Sequence, residues 1–440
     1  MSQLTAGNPE GGPTEGGPAS EKIFYGWVIV LVSAILTFLG TGFYSYSRGV
    51  FLPSLSEELG DGSRFAIAMG FSAAAVTGAF VGPIVGTMLD RHSPRLVILF
   101  GIGTVTASYI LLAFSQALWQ FYVIVGIGMG VGMACMGPLA WHRTIISWFD
   151  HWRGRAIALA VLGASLAGVV MPPLVTALVE ALGWRGAFLV FAGLVAVVLT
   201  PLIWIFLKDR PEDIGEVRDG HRYHSRPDVV VIDDALESRS WTWQEMLRYP
   251  AFWSIGIMFG AMGCVYSAVM LHLFGHLTDI GLAAERAAIV LSITALFAAL
   301  GKPVVGWMSD FFGARVTIWT ALIVQGIALV MFATADDFVF SIIAGATYGF
   351  GYAGMSPLRT FALSVAIGNT SFGTANGVLR IVELPLVISA SPLAGYIYDT
   401  TGSYQAAFLI LAGLMAFACL GPFFIRAGGA ISRRKQAVSR

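Results

Sequence analysis

Charge is what this 440-residue sequence has least of: Asp, Glu, Lys and Arg together make up 12% of it, against 56% hydrophobic residues. That balance excludes a soluble domain pair and reads as a polytopic membrane protein. Net charge is zero, so no nucleic-acid partner is expected, and membrane lipid is the expected surroundings. Only three cysteines occur, Cys135, Cys264 and Cys419, all in apolar stretches and without metal-ligand spacing. They read as small packing residues, which excludes a disulfide framework and a cysteine metal site. A nucleophile with its base, or a cluster of metal ligands, is also missing, so neither an enzyme nor a bound cofactor is expected. Residues 1–22 are rich in Gly, Pro and Glu and lack a basic-then-apolar leader, which predicts a disordered tail.

Long apolar runs are abundant. A bilayer core of about 30 Å needs roughly 20 apolar residues per helix, and on that measure twelve helices are predicted. They run over 24–52, 65–89, 95–115, 120–146, 155–179, 186–207, 251–277, 284–309, 315–334, 339–364, 372–397 and 405–426. The predicted organisation is a tail 1–22, a six-helix bundle 23–207, a central polar loop 208–249, a second six-helix bundle 250–426 and a basic tail 427–440. With both termini inside, the inner segments hold 18 Lys and Arg and the outer loops three, Arg64, Arg185 and Arg286. That asymmetry predicts cytoplasmic termini, in what is expected to be a bacterial inner membrane.

The halves repeat each other. Pro83, Gly86, Asp90 and Arg95 recur 220 residues later as Pro303, Gly306, Asp310 and Arg315. A shift of 219 maps Gly126, Gly130 and Gly132 onto Gly345, Gly349 and Gly351, Met136-Gly-Pro-Leu139 onto Met355-Ser-Pro-Leu358, and Gly183 onto Gly402. A parallel repeat of six helices predicts two like-oriented bundles about an axis normal to the membrane, with the pathway between them.

Five cations remain inside the predicted spans, Arg48, Arg143, Lys302, Arg359 and Arg380, against one carboxylate, Glu383. Ionisable side chains in membrane spans face a cavity and mark a pathway, and this excess points to an anionic cargo. Asn376, Arg380 and Glu383, at i, i+4 and i+7, stack on one helical face. Arg380 is therefore expected to pair with Glu383, either as a coupling device that releases Glu383 for protonation when a substrate carboxylate takes the guanidinium, or as a permanent structural pair. Arg359, and Arg143 beside His142, are expected to face each other across the pseudo-twofold axis, binding a second carboxylate or guiding anions inward. His272 and His276 have i, i+4 spacing but no third ligand, and are expected to be a wet interfacial pair rather than a zinc site. Gly126, Gly128, Gly130 and Gly132 sit inside a helix, so close helix packing is expected of them rather than a dinucleotide loop.

The block Gly86-Thr-Met-Leu-Asp90-Arg91-His-Ser-Pro-Arg95 resembles the loop 2-3 signature of the major facilitator superfamily, and Gly306-Trp-Met-Ser-Asp310-Phe-Phe-Gly-Ala-Arg315 resembles its second-half counterpart. Ser93 and Pro94 depart from the Gly and basic residue of that pattern. Phe24-Tyr-Gly-Trp27, Trp148-Phe-Asp-His-Trp-Arg153-Gly-Arg155, Pro172-Pro173 and Gly183-Trp-Arg-Gly-Ala-Phe188 resemble the monocarboxylate and oxalate/formate porter branch. The resemblance spans about 24–426. It implies an all-α fold of twelve transmembrane helices in two pseudo-symmetric six-helix bundles, working as a monomeric transport unit. It also implies that Asp90, Arg91, Arg95, Asp310 and Arg315 latch the cytoplasmic side when the carrier opens outward.

For cargo, the resemblance implies small carboxylates bound by a basic residue in helix 8 or 11. Ala298 and Lys302 stand where the monocarboxylate carriers place an acid and an Arg; Lys302 offers a point charge without the bidentate fork, and a snorkelling Lys is the alternative. Tyr46 stands where those carriers place a basic residue in helix 1, which leaves contact by Arg48 open. The expected function is a secondary carrier of small organic anions, proton-coupled monocarboxylate symport by alternating access. Glu383 is then the proton site, and Arg380, Lys302, Arg359, Arg143, His142, Tyr46 and Asn376 are the substrate residues. Carboxylate antiport and a membrane anion sensor are the alternatives.

Overall fold

The computed structural model describes residues 24–149, 152–218, 241–367 and 371–424, and the side chains of these except Asp90. The expected tails 1–22 and 427–440, the middle of the central loop, Asp150 and His151 lie outside the described residues.

Among the described residues, eleven helical runs are long and apolar enough to cross a membrane, and one of them holds two helices, which makes twelve. In the first half α1 comprises Gly26–Thr41, a π-helical turn Gly42–Tyr46 and Arg48–Leu59; α2 is Arg64–Arg91 and α3 Pro94–Ala113. The fourth, α4, comprises Leu118–Phe121, a π-helical stretch Tyr122–Met129, Gly130–Met136 and Pro138–Trp148. In the second half α7 is Pro250–Asp279, α8 Ala284–Phe312, α9 Ala314–Ala333, α10 Phe338–Tyr352 with Met355–Ile367, α11 Phe372–Thr401 and α12 Gln405–Ala418. A short helix, Trp243–Leu247, precedes α7 and is capped by Thr242, whose side chain accepts from the Glu245 amide.

Between the halves' shared elements, α5 and α6 form one unbroken run of helical hydrogen bonds, Arg153–Phe206, 54 residues long. At 1.5 Å per residue it would reach about 80 Å, more than twice a bilayer core. Gly183 resolves this: with φ 67° and ψ 170° it turns the chain, so that α5 is 153–182 and α6 184–206. Trp184 Nε1 donates to Glu58 Oε1 at 2.8 Å, and Arg185 pairs with Glu58 while lying over the Trp184 ring. Those two bonds hold the Glu58 carboxyl below the usual carboxylate range, so the tie survives mild acid and is lost only as pH falls through the lowered value.

The repeated sequence marks are structural joints. Met136-Gly-Pro-Leu139 and Met355-Ser-Pro-Leu358 coincide with the breaks in α4 and α10, where Pro begins or enters a new first turn and its missing N–H is harmless. Gly313, before α9, has φ 81°, whereas its counterpart Ser93, before α3, has φ −58°. The departure at Ser93 thus gives the first loop a different turn. The glycine ladder of α4 packs two ways, as expected for close helix contacts: Gly126 and Gly130 abut Ala73, Ala74 and Thr77 of α2, while Gly128 and Gly132 abut Ser108, Gly101 and Val105 of α3.

The halves join most tightly at the end away from the termini. Arg64, 7% exposed, leaves α2 to make a two-pronged bond with Asp279 at the end of α7, at 2.6 and 2.9 Å. Its guanidinium also donates to the Tyr404 hydroxyl at 3.0 Å and lies 3.8 Å from the Tyr398 ring centre. Asp399, at the end of α11, accepts from Ser63 Oγ and from the Arg64 and Phe65 amides, so a carboxylate caps the positive N-terminus of α2. Backbones touch nearby: a Cβ on Gly49 would lie 2.8 Å from Met270 O, and one on Gly395 2.8 Å from the Phe65 backbone. Behind this latch His272 bonds the Tyr404 hydroxyl and Ser391 O, and His276 bonds Phe332 O. Both rings are buried, which corrects the expectation of a wet interfacial pair. They face protein because α7 packs against α1, α11 and α12 rather than lying at the bundle's rim.

Gly183→Ala should destabilise the protein by about 1–3 kcal/mol, the cost of a Cβ in that region of φ and ψ. The thermal midpoint in detergent checks this, with Gly193→Ala, which meets open space in an ordinary helix, as the control. Arg64→Gln should loosen the latch. Spin labels on the exposed Glu57→Cys and Ala283→Cys positions should then report a population at longer distance than in the latched protein.

Candidate functional site

Seven of the eight substrate and coupling residues expected from the sequence lie along α4, α8, α10 and α11, with Tyr46 on α1, around the gap between the halves. The best-ordered cluster belongs to the second half. The Arg359 guanidinium, carried by α10 just past its break, donates to both oxygens of Glu383 on α11, Nε to Oε1 at 2.8 Å and Nη2 to Oε2 at 3.1 Å. Its remaining Nη1 donates to Asn376 Oδ1 at 2.7 Å, one turn before Arg380. Arg359 and Glu383 side chains are only 14% and 12% exposed, so the bonds are well shielded from water. A planar fork meeting a carboxylate bidentately is the strong form of such a contact.

This arrangement corrects the expected Arg380–Glu383 pair. Asn376 and Glu383 do share a face of α11, but that face turns to α10, where Arg359 supplies the fork; two side chains three residues apart on one helix cannot offer the same geometry. Arg380 is left on the exposed flank of α11 and has no hydrogen-bond or ion-pair partner among the described residues. Its charge acts on the Arg359–Glu383 pair and, across the gap, on His142 of α4. The buried Nε2 of His142 makes no hydrogen bond. Arg143 is exposed on α4, and with Arg359 turned to Glu383 the expected face-to-face pair of Arg143 and Arg359 is replaced by His142 opposite Arg380.

Lys302 of α8 crosses the gap in another place, its Nζ donating to Ser165 Oγ on α5 at 3.0 Å. One turn and more farther along, Ser292 Oγ donates to Val169 O. Tyr46 ends the π-helical turn of α1 and sits where α1, α5 and α8 meet: a Cβ on Gly168 would touch both its ring and Ala295. Tyr266 and Tyr352 stack at 4.6 Å beside it, and Tyr348 is fully buried behind them.

The long α7 measures the distance between cluster and latch. Gly260 lies against Glu383, and Gly275 against Arg64; fifteen residues of α-helix place them about 22 Å apart. The ionic cluster is therefore well separated from the closed end, and the tyrosines lie between the two. At the other end Arg91 and Asp310 are exposed, and Arg95 turns to its own half, its guanidinium bonded to Trp204 O and stacked on the Trp204 ring. The side chain of Asp90 lies outside the described residues, and Arg315 is partly buried at the start of α9.

The repeat carries the scaffold but not the ionic cluster. The 219-residue shift puts Ala140, Ile157, Val161 and Ala164 at the places of Arg359, Asn376, Arg380 and Glu383. What sequence reasoning missed is the latch, since Arg64 counted only as a loop cation. Its partners Asp279 and Asp399 lie 215 and 335 residues away, and their sole signal is a carboxylate closing each of two long apolar helices.

A family model described as Major Facilitator Superfamily matches residues 33–384 and 276–438. Among curated proteins the chain is similar to monocarboxylate transporter 13 of Bos taurus, 27% identical and covering 78% of each chain. It is also similar to monocarboxylate transporter 13 of Rattus norvegicus, 25% identical over 91% of this chain and 90% of that one. An uncharacterized MFS-type transporter, YcxA, of Bacillus subtilis is 22% identical over 90% and 95%. Among solved structures, a bacterial homolog of the human lysosomal transporter Spinster in an inward-facing, occupied conformation superposes with TM-score 0.69 at 14% identity, over 92% and 97% of the two chains.

Removing Arg359 alone leaves Glu383 buried without its fork. Arg359→Gln should cost about 3–5 kcal/mol, and adding Glu383→Gln should recover much of that loss. Arg380→Gln should cost far less, and a double-mutant cycle on thermal midpoints distinguishes the two arginines as partners of Glu383.

Proposed function

The chain belongs to the Major Facilitator Superfamily and is an integral membrane transporter related to the monocarboxylate transporters, and on that premise we propose that it carries small monocarboxylates together with a proton by alternating access. The observation that carries this reading is the division of labour on α11: Glu383 is neutralised by Arg359, while Arg380, one turn away, is exposed and has no hydrogen-bond or ion-pair partner among the described residues. Arg380 is the primary carboxylate receptor in this reading, with His142 opposite it, and Lys302 and Tyr46 bound the space above.

Coupling follows from charge. A substrate carboxylate arriving at Arg380 brings a second anion beside Glu383 and competes for the Arg359 fork. Like charges that close favour protonation of one of them, and Glu383 is the member anchored in the protein. Proton and substrate then favour each other's binding, and the linkage is reciprocal. Proton and monocarboxylate enter as a net-neutral pair, so the loaded halves rock with the same charge in the gap as the empty ones.

The closed latch at the far end, together with exposed Arg91 and Asp310 at the other, supports an arrangement open toward the side of the termini, which the distribution of Lys and Arg assigns to the cytoplasm. The loop-signature residues Asp90, Arg91, Arg95, Asp310 and Arg315 would then engage across the halves in the opposite state. One observation favours a second reading, carboxylate antiport: neither Arg380 nor Lys302 has a carboxylate partner, and an empty positive site returns across the membrane more readily when loaded with another anion.

Uptake of labelled mono- and dicarboxylates into proteoliposomes tests the proposal. Wild type should accumulate a monocarboxylate when the proton gradient points inward. Glu383→Gln should lose that accumulation and keep counterflow exchange, and Arg380→Gln should weaken substrate binding about 10- to 100-fold, the loss of one charge-assisted contact. Exchange that ignores pH and survives Glu383→Gln would replace symport by antiport.

A further inference from the structure

Arg48 is another intramembrane cation with no counter-ion among the described residues, in surroundings unlike those of Arg380. It follows the π-helical turn Gly42–Tyr46 of α1, where one extra residue per turn re-aims the helix face. Its single hydrogen bond is a long one, Nη2 to Ser267 O on α7 at 3.3 Å, and its buried Nε has no partner. Tyr44, Tyr266 and His272 lie within electrostatic reach of its charge. A guanidinium partly withdrawn from water between apolar helices is favoured when something anionic meets it.

Beside it lies a cavity. Arg48 lines it with Phe43, Tyr44, Tyr109, Val125 and Met129, inside the first bundle and away from the gap that Arg380 faces. Its free volume is about 20 Å³, enough for one group the size of a water molecule, which needs roughly 10–15 Å³. Phe43 and Tyr44 belong to the π-helical turn of α1, and Val125 and Met129 to the π-helical stretch of α4, so two separate irregularities of the first half open onto the same space. Their second-half counterparts in α7 and α10 are α-helical among the described residues. A water alone would leave the charge uncompensated; an anion would compensate it, and the rings around it present polarised edges to negative charge.

We propose that this cavity is an anion site, in which Arg48 holds a chloride-sized monovalent anion, a halide or the head of the smallest carboxylate, inside the first bundle between α1, α3 and α4. Bound there, the anion would neutralise the α1–α7 contact next to the Gly49–Met270 crossing that helps close the far end. The inference is independent of which cargo Arg380 receives.

The test is the thermal midpoint of the purified full-length protein in detergent, titrated with sodium chloride or sodium formate against a methanesulfonate background of constant ionic strength. Wild type should rise by several degrees and saturate with at least one of the two. Arg48→Gln should abolish the rise; Val125→Leu, which narrows the cavity and leaves Arg48 in place, should weaken it; Arg380→Gln should keep it. A rise with chloride alone identifies a halide site, and a rise with formate identifies a carboxylate subsite. No saturable response in wild type, a response that survives Arg48→Gln, or one that is lost in Arg380→Gln would overturn the proposal.

Discussion

A charge enclosed by apolar helices must be met by an opposite charge or by water, and the arrangement of this protein turns on how each intramembrane cation meets that demand. Arg64 is met by Asp279 and roofed by two tyrosines, and the result is a closed end. Arg359 is met by Glu383 and Asn376, and the result is a neutral, rigid cluster well separated from the closed end. Lys302 finds only a serine hydroxyl and Arg380 only the gap. The first two solutions fix the halves and the α10–α11 pair, and the last two leave positive charge where a mobile anion can reach it.

The division of charge also explains why two copies of one scaffold do different work. The repeat preserves joints: the breaks of α4 and α10 and the turns at Gly183 and Gly402, both with positive φ. It does not preserve the ionic cluster, whose places in the first half hold Ala140, Val161 and Ala164. The first half instead carries three π-helical segments, in α1, α4 and α6, each shifting side chains off the regular face. One half holds the ionisable machinery, and the other supplies small residues and irregular turns against which it moves. Gly168 illustrates the second role, since only a missing Cβ lets Tyr46 and Ala295 meet α5 there.

Long α7 links these parts mechanically. Along one face it meets Glu383 at Gly260, Arg48 at Ser267, Gly49 at Met270 and Arg64 at Gly275. A change at the ionic cluster that tilts α7 would be felt at the latch through backbone contacts too close to be compressed. Interiors packed to this density transmit displacement rather than absorb it.

Much of this was legible in the sequence because the bilayer imposes one-dimensional rules. Apolar runs of about 20 residues give the helices, repeated glycines and prolines give the joints, and scarce charges stand out against the apolar background. Even Gly183, which only the backbone angles reveal as a sharp turn, stood between two predicted spans. Pairing was not legible. Spacing on α11 suggested Arg380 for Glu383, and it took the approach of α10 to bring Arg359 there instead, 24 residues away in sequence. His272 and His276 looked interfacial because sequence gives depth along a helix and not the side it faces. The composition and periodicity of this chain determined its helices, its two halves and the sign of its pathway; the partners of each charge were decided by tertiary structure, because which faces of neighbouring helices meet depends on crossing geometry that no local pattern encodes.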